Sequence, residues 1–163
     1  MVILVAGIDL SVGSAVALTG VAAALFLENQ PEYGVGAAAI AILLALLVGV
    51  AAGLLNGVII TQFKVPDFIA TLASLSILRG VALLLTRSYP IGIPRSSETT
   101  LPYEWIGIAK INFLGLEIPF PIFIMIAVYA IGYVILHRLK LGRRIYAVGG
   151  NEPAARLAGV RVR

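Results

Sequence analysis

The sequence predicts an all-α fold: a polytopic transmembrane helical bundle of about four membrane segments, the first of them broken. Three observations predict it. Of 163 residues, 60% are hydrophobic and 12% are charged, against about 45–50% and about 25% in an ordinary soluble domain. The apolar residues form long stretches separated by short polar breaks, and the mean hydropathy is +1.03. The basic residues gather toward one end of the chain. So little charge cannot cover a water-soluble globule of this size. A soluble enzyme, a disordered tail and a nucleic-acid module are therefore excluded. The net charge of +4 fits the cytoplasmic edge of a membrane protein. There is no cysteine, hence no disulfide framework and no thiolate metal site, and the single His137 cannot build a zinc site alone.

The first segment, residues 1–27, carries Asp9 as its one charge. A continuous helix of that length would be roughly 40 Å long, more than a bilayer core of roughly 30 Å. Gly7-Ile8-Asp9-Leu10-Ser11-Val12-Gly13-Ser14 interrupts it. Asp9 or Ser11 is expected to cap the helix that follows. Met1–Ala6 then ends one span and Val12–Leu27 forms a shorter helix, so that the segment either crosses the bilayer or dips and returns. A chain that opens inside an oily segment without a basic leader is expected to be a fragment of a longer protein rather than a signal peptide.

Residues 35–62 are charge-free and long enough to span with tilt. Ala37, Ala41, Ala45, Gly49, Gly53 and Gly57 recur every four residues. Gly49, Gly53 and Gly57 are thereby expected to let a neighbouring backbone approach. Residues 67–86 follow Pro66 and contain one charge, Arg79; residues 119–137 are entered at Pro119 and Pro121 and left at His137, Arg138 and Lys140. Between them residues 87–118 form a long connection with Pro90, Pro94, Pro102, Tyr103 and Trp105. Loops of that length usually have a function, and Tyr89, Tyr103 and Trp105 suit the headgroup level.

Orientation follows from lysine and arginine. Arg138, Lys140, Arg143, Arg144, Arg156, Arg161 and Arg163, with Lys64 in the second turn, make eight on one side. Arg87, Arg95 and Lys110 make three on the other. The tail 138–163 is expected in the cytoplasm and the loop 87–118 outside.

Chemistry is sparse. No Ser/His/Asp set, paired-carboxylate site or GxxxxGK stands in the chain. No catalytic residue, cofactor or metal is expected, and uphill transport would draw on an ion gradient or a partner. Asp9 is an ionisable group inside a membrane segment, either functional or a helix cap. It stands with Ser11 and Ser14 at a break of the kind found beside substrate cavities. Arg79 snorkels, lines a polar pathway or pairs with Asp9. Asn56 suits a hydrogen bond between helices better than a ligand contact. In the tail, Asn151 is a good N-cap, with Glu152 and Pro153 in the first turn, Ala154 and Ala155 following, and Gly159 as the stop. A helix of so few residues needs support from elsewhere.

Gly7–Ser14, Phe68-Ile69-Ala70-Thr71-Leu72, Leu78-Arg79-Gly80 and the run Leu141–Val160 resemble, in that order, the membrane permeases of ribose/xylose/galactose-type ABC importers. The resemblance covers essentially the whole chain. It implies a multi-pass subunit of the bacterial inner membrane that pairs with a second permease copy. Cytoplasmic ATP-binding subunits would dock beneath, and a periplasmic sugar-binding protein would deliver a monosaccharide such as ribose. Asn151–Gly159 would be the coupling segment, with Arg143, Tyr146, Gly149 and Gly150 leading into it. Gly7–Ser14 would lie near the pathway. Family members are about twice this long. Two other classes remain: an ion-coupled secondary transporter with Asp9 as the ion-binding carboxylate, and a structural membrane protein held together by its small residues.

Overall fold

A computed structural model describes residues 7–30, 34–92, 107, 109–113 and 116–160. Met1–Ala6, Pro94, Arg95, Pro102, Tyr103 and Trp105, on which some of the expectations above rest, lie outside these. The described elements are α1 (Val12–Glu28), α2 (Val35–Gln62), α3 (Asp67–Leu85), β1 (Lys110–Phe113), β2 (Leu116–Pro119), α4 (Phe120–Arg138), α5 (Lys140–Gly150) and α6 (Glu152–Leu157). Three of them, α2, α3 and α4, are long and apolar enough to cross a membrane, and α1 is a shorter apolar helix. The chain divides into two compact units, residues 8–102 and residues 103–163 with 1–7.

In the first unit α1 packs on both α2 and α3. Its interior is the reverse of a water-soluble core. The buried residues are small or polar: Ser11, Ser14, Ala38, Ala41, Ala52, Asn56, Ala70, Thr71 and Ala82, with Leu18 and Leu27 the larger apolar members. Val16, Leu43, Leu46, Leu47, Leu54, Ile69, Ile77 and Leu84 face outward. Lipid is as apolar as leucine, so burying large side chains gains little in a bilayer. Close packing of small residues and interhelical hydrogen bonds hold the helices instead.

The i,i+4 row on α2 only partly coincides with the contact face. Gly49 faces α1, where a Cβ would stand 3.4 Å from the Thr19 methyl; at Gly53 and Gly57 a Cβ would meet nothing within 4 Å. A strict four-residue repeat advances about 40° per step around a helix of 3.6 residues per turn. The row therefore winds off the contact, which runs through Ala38, Ala41, Ala52 and Asn56.

Helix ends follow local rules. Pro66 stands at the N-cap of α3, where its missing N–H costs nothing. Lys64 leaves α2 with φ 55°, a left-handed position that a non-glycine residue adopts at modest cost.

The second unit opens with an antiparallel hairpin in which Lys110 pairs with Pro119 and Asn112 with Glu117. Lys110 Nζ lies 2.6 Å from Glu117 Oε2. This hydrogen bond, and then the lysine's charge, holds the Glu117 carboxyl below the usual carboxylate range. α4 follows without a loop and has no buried residue. It ends at Leu139, whose extended backbone (φ −92°, ψ 152°) turns the chain directly into α5.

The sequence reading left residues 140–150 without regular structure, but they are helical. Gly142, Gly149 and Gly150 are poor helix formers and obscured the apolar recurrence of Leu141, Ile145 and Val148. Gly142 is buried at the bend: a Cβ there would lie 2.0 Å from the Leu136 carbonyl oxygen.

Two predictions follow from this unit. Gly142→Ala drives a methyl into backbone that cannot move aside, so it should destabilise by about 1–3 kcal/mol, read as lost thermal stability in detergent. Gly150→Ala, in open space, should be near neutral. Because its folded pKa is depressed, Glu117 stabilises the hairpin above its unfolded pKa, and the effect fades as pH falls through the lowered value. Protection of the Ile111 and Ile118 amides from exchange, taken against the intrinsic rate at each pH, should fall in acid, and Lys110→Gln should abolish that loss.

Candidate functional site

The site is built where α1 begins. Residues 7–10 precede the helix in non-helical backbone; both polar groups of Ile8 find partners on α3, and the Ser11 side chain finds one on α2. The Ile8 N–H donates to the Asp67 carboxylate in the first turn of α3. The Ile8 carbonyl accepts from Thr71 Oγ1 at 3.2 Å, and that hydroxyl also reaches the Asp67 carbonyl at 2.8 Å. Thr71 is 2% exposed. Two residues of α3, four apart and hence on one face, thus clamp both polar groups of Ile8.

Asp9 Oδ1 accepts from the Ser11 N–H at 2.9 Å and from Ser11 Oγ at 2.6 Å. Asn56 Nδ2 of α2 donates to Ser11 Oγ at 3.0 Å. Ser74 Oγ of α3 donates in turn to Asn56 Oδ1. The result is a one-way chain of donors, Ser74 to Asn56 to Ser11 to Asp9, ending on a carboxylate and crossing three elements. Such chains polarise and strengthen one another away from water.

Two expectations are corrected here. Ser11 holds the N-cap position of α1, but its side chain makes no cap bond and its backbone is already helical (φ −78°, ψ −11°). Its hydroxyl is committed to Asp9 and Asn56, and its carbonyl takes Ser14 Oγ at 2.8 Å. Asp9 likewise serves Ser11 rather than the first turn of the helix. Nor does Arg79 pair with Asp9. It stands eight residues, roughly 12 Å of helix, beyond Thr71, the residue that meets the break.

Arg79 instead lines a groove of about 440 Å³ between α1 and α3, with Gly13, Ser14 and Ala17 on one wall and Leu75, Ala82 and Thr86 on the other. A second groove of about 400 Å³ continues along the same helices past Gly20, Ala24 and Tyr89. α1 and α3 therefore run parallel, and α2, which meets α1 through Ser11–Asn56 and Thr19–Gly49, runs against them. The five polar candidates divide accordingly. Asp9, Ser11 and Asn56 build the knot, Arg79 lines the groove, and Ser14 belongs to both.

Sequence reasoning did not single out Asp67, Thr71 and Ser74. Thr71 lay inside a quoted motif. Its spacing from Asp67 and Ser74, on one helix face near a proline-marked start, is the signal that would have found all three. Among the described residues no cluster could hold a metal ion.

In the second unit the short helix expected over 153–158 is α6, Glu152–Leu157. Asn151 Oδ1 accepts the Ala154 N–H at 3.0 Å. At the other end the Val160 N–H reaches the Ala155 carbonyl and the Gly159 N–H the Arg156 carbonyl, both at 3.0 Å. Gly159 has φ 80°, the left-handed cap that glycine adopts freely. Arg156 and Glu152 pair across one turn at 2.7 Å. Ala155 is buried, while Arg143, Tyr146, Gly150, Glu152 and Ala154 are exposed and Gly149 is half-buried.

A bundle that faces lipid with leucine, buries small and polar residues between its helices and begins its first described helix beside a groove is a polytopic helical membrane protein. A family model described as the branched-chain amino acid transport system / permease component matches residues 1–163, and the chain belongs to that family. It is 41% identical to the ribose import permease RbsC of Escherichia coli K12, over 99% of this chain and 47% of that protein. The Haemophilus influenzae protein of the same name is 42% identical over the same shares. The fructose import permease FruG of Bifidobacterium longum is 36% identical over 99% of this chain and 46% of its own length. The chain thus spans about half the length of these relatives. No solved structure matches it.

The knot carries its own prediction. Asn56→Leu strands the Ser74 hydroxyl and removes a donor from Ser11, so it should destabilise by about 1–2 kcal/mol, the upper range for interhelical hydrogen bonds in membranes. Ser76→Ala, which loses only a bond to its own helix, should change little. Unfolding in mixed micelles reads both, and a double-mutant cycle of Asn56 with Ser74 should show positive coupling.

Proposed function

We propose that this chain is part of the membrane subunit of an ATP-driven importer in the bacterial inner membrane, carrying a simple sugar such as ribose. The observation that carries the reading is the match to ribose and fructose import permeases over 99% of the chain, in a bundle whose first described helix begins beside a groove. The family model is described by branched-chain amino acids, but ribose and fructose import permeases align over nearly the whole chain.

The parts take these roles. Asp9, Ser11 and Asn56 with Thr71 and Ser74 hold the break rigid, so that the groove keeps its shape while helices move. Ser14 and Arg79 stand on the translocation path. Residues 138–163 lie in the cytoplasm and 87–118 in the periplasm, as the basic residues favour. α6 docks on a cytoplasmic ATP-binding subunit. Capped at both ends, it shifts as a unit when that subunit closes on ATP, and the membrane helices rock with it. A periplasmic sugar-binding protein supplies the substrate, and a second permease copy completes the path.

The test is uptake by the assembled transporter in proteoliposomes. Ribose uptake should require ATP and the binding protein, and leucine should not compete. Gly150→Trp, at an exposed position with open space around it, should leave ATP hydrolysis intact while lowering uptake by about tenfold or more, a coupling loss of about 1.4 kcal/mol. Uptake driven by an ion gradient with no nucleotide would overturn the reading.

A further inference from the structure

We propose that α5 is an interfacial helix that lies in the surface of the bilayer and binds anionic phospholipid. Assigning that surface to the cytoplasmic leaflet rests on the topology proposed above. α4 has 19 residues, roughly 28 Å of helix, so that it just crosses the hydrocarbon core. One residue, Leu139, separates its last turn from α5. α5 therefore begins at the level where the membrane ends.

Its direction is fixed by contacts. Gly142 sits against the Leu136 backbone so closely that no side chain fits, which folds α5 back onto the end of α4. The His137 ring stacks on Tyr133 at 4.2 Å and meets the Tyr146 ring edge-on at 6.2 Å. Three aromatic rings thus tie the two helices at the depth where such rings prefer to lie.

The two faces of α5 suit that position. At about 100° per residue, Lys140, Arg143, Arg144 and Ala147 fall within one arc of about 100°, while Leu141, Ile145 and Val148 fall within about 60° on another side. Leu141 is 55% exposed, and no described helix covers it. An apolar strip with cations on the flank beside it, joined directly to a spanning helix, matches the acyl boundary below it and lipid phosphates around it. Basic residues near an anionic surface are each attracted appreciably. A soluble partner would account for the cations but would leave the strip facing water whenever it detached.

The test is single-cysteine spin labelling of the complete protein in vesicles, with the label introduced into this cysteine-free chain and any cysteine elsewhere in the protein replaced by serine. Labels at 141, 145 and 148 should be more accessible to oxygen than to a water-soluble nickel chelate. Labels at 143, 144 and 147 should show the reverse. The pattern should persist with and without the ATP-binding subunit. The labels at 141, 145 and 148 should move deeper when phosphatidylglycerol is added to phosphatidylcholine. Replacing Lys140, Arg143 and Arg144 together by Gln should abolish that response.

Three results would overturn the proposal: equal access to the nickel chelate at all six positions, depth indifferent to phosphatidylglycerol, or shielding from both reagents only when the ATP-binding subunit is present, which would assign α5 to protein docking. Sugar uptake measured in the same vesicles separates this inference from the transport reading, since lost uptake with the depth pattern intact would count against transport alone.

Discussion

A peptide group in hydrocarbon has no water to bond. Each one left open costs several kcal/mol, and this constraint organises the first unit. Residues 7–10 stand ahead of α1 without helical bonds of their own, and side chains of two other helices hold this stretch. Thr71 and Asp67 take the two polar groups of Ile8, and Asn56 and Ser74 secure Ser11. The bundle can then keep a break in a position where an unsupported one would not survive. The same constraint explains the outward leucines, because in lipid only the polar groups must be hidden.

The fold was legible where it depends on composition. Long charge-free runs and the proline at position 66 set α2 and α3 to within a residue or two, because lipid tolerates nothing but helix there. α6 was legible from Asn151 and Gly159, two residues whose capping roles are local. The knot was read only in part. Asp9, Ser11 and Asn56 stood out as polar residues in oily surroundings, whereas Asp67, Thr71 and Ser74 are common near helix starts and declare themselves only through tertiary contacts. The glycine row on α2 looked like a seam because a period of four is close to 3.6, but the difference accumulates, and the contact face follows the helix rather than the row. α5 was missed because its glycines argue against a helix, and Gly142 in particular serves the bend with α4, where no side chain fits.

The two units hold their helix ends by different means. In the first, the Ile8 backbone and the Ser11 hydroxyl that lead into α1 are held by side chains of α2 and α3, so a change at any one of several positions disturbs them all. In the second, α6 is closed by Asn151 and Gly159 within ten residues of chain. Long-range closure suits a region that must keep one shape, and local closure suits one that must move without unravelling.

The parallel course of α1 and α3 has an electrical consequence. Antiparallel neighbours cancel one another's axial dipoles, but parallel ones add. The positive poles of both helices coincide at one depth, and the carboxylates of Asp9 and Asp67 sit there as a counterweight. At the opposite end, beyond the groove, the two negative poles coincide, close to Arg87. The pair is thus a small polarised element, whose two aligned dipoles the antiparallel α2 offsets only in part.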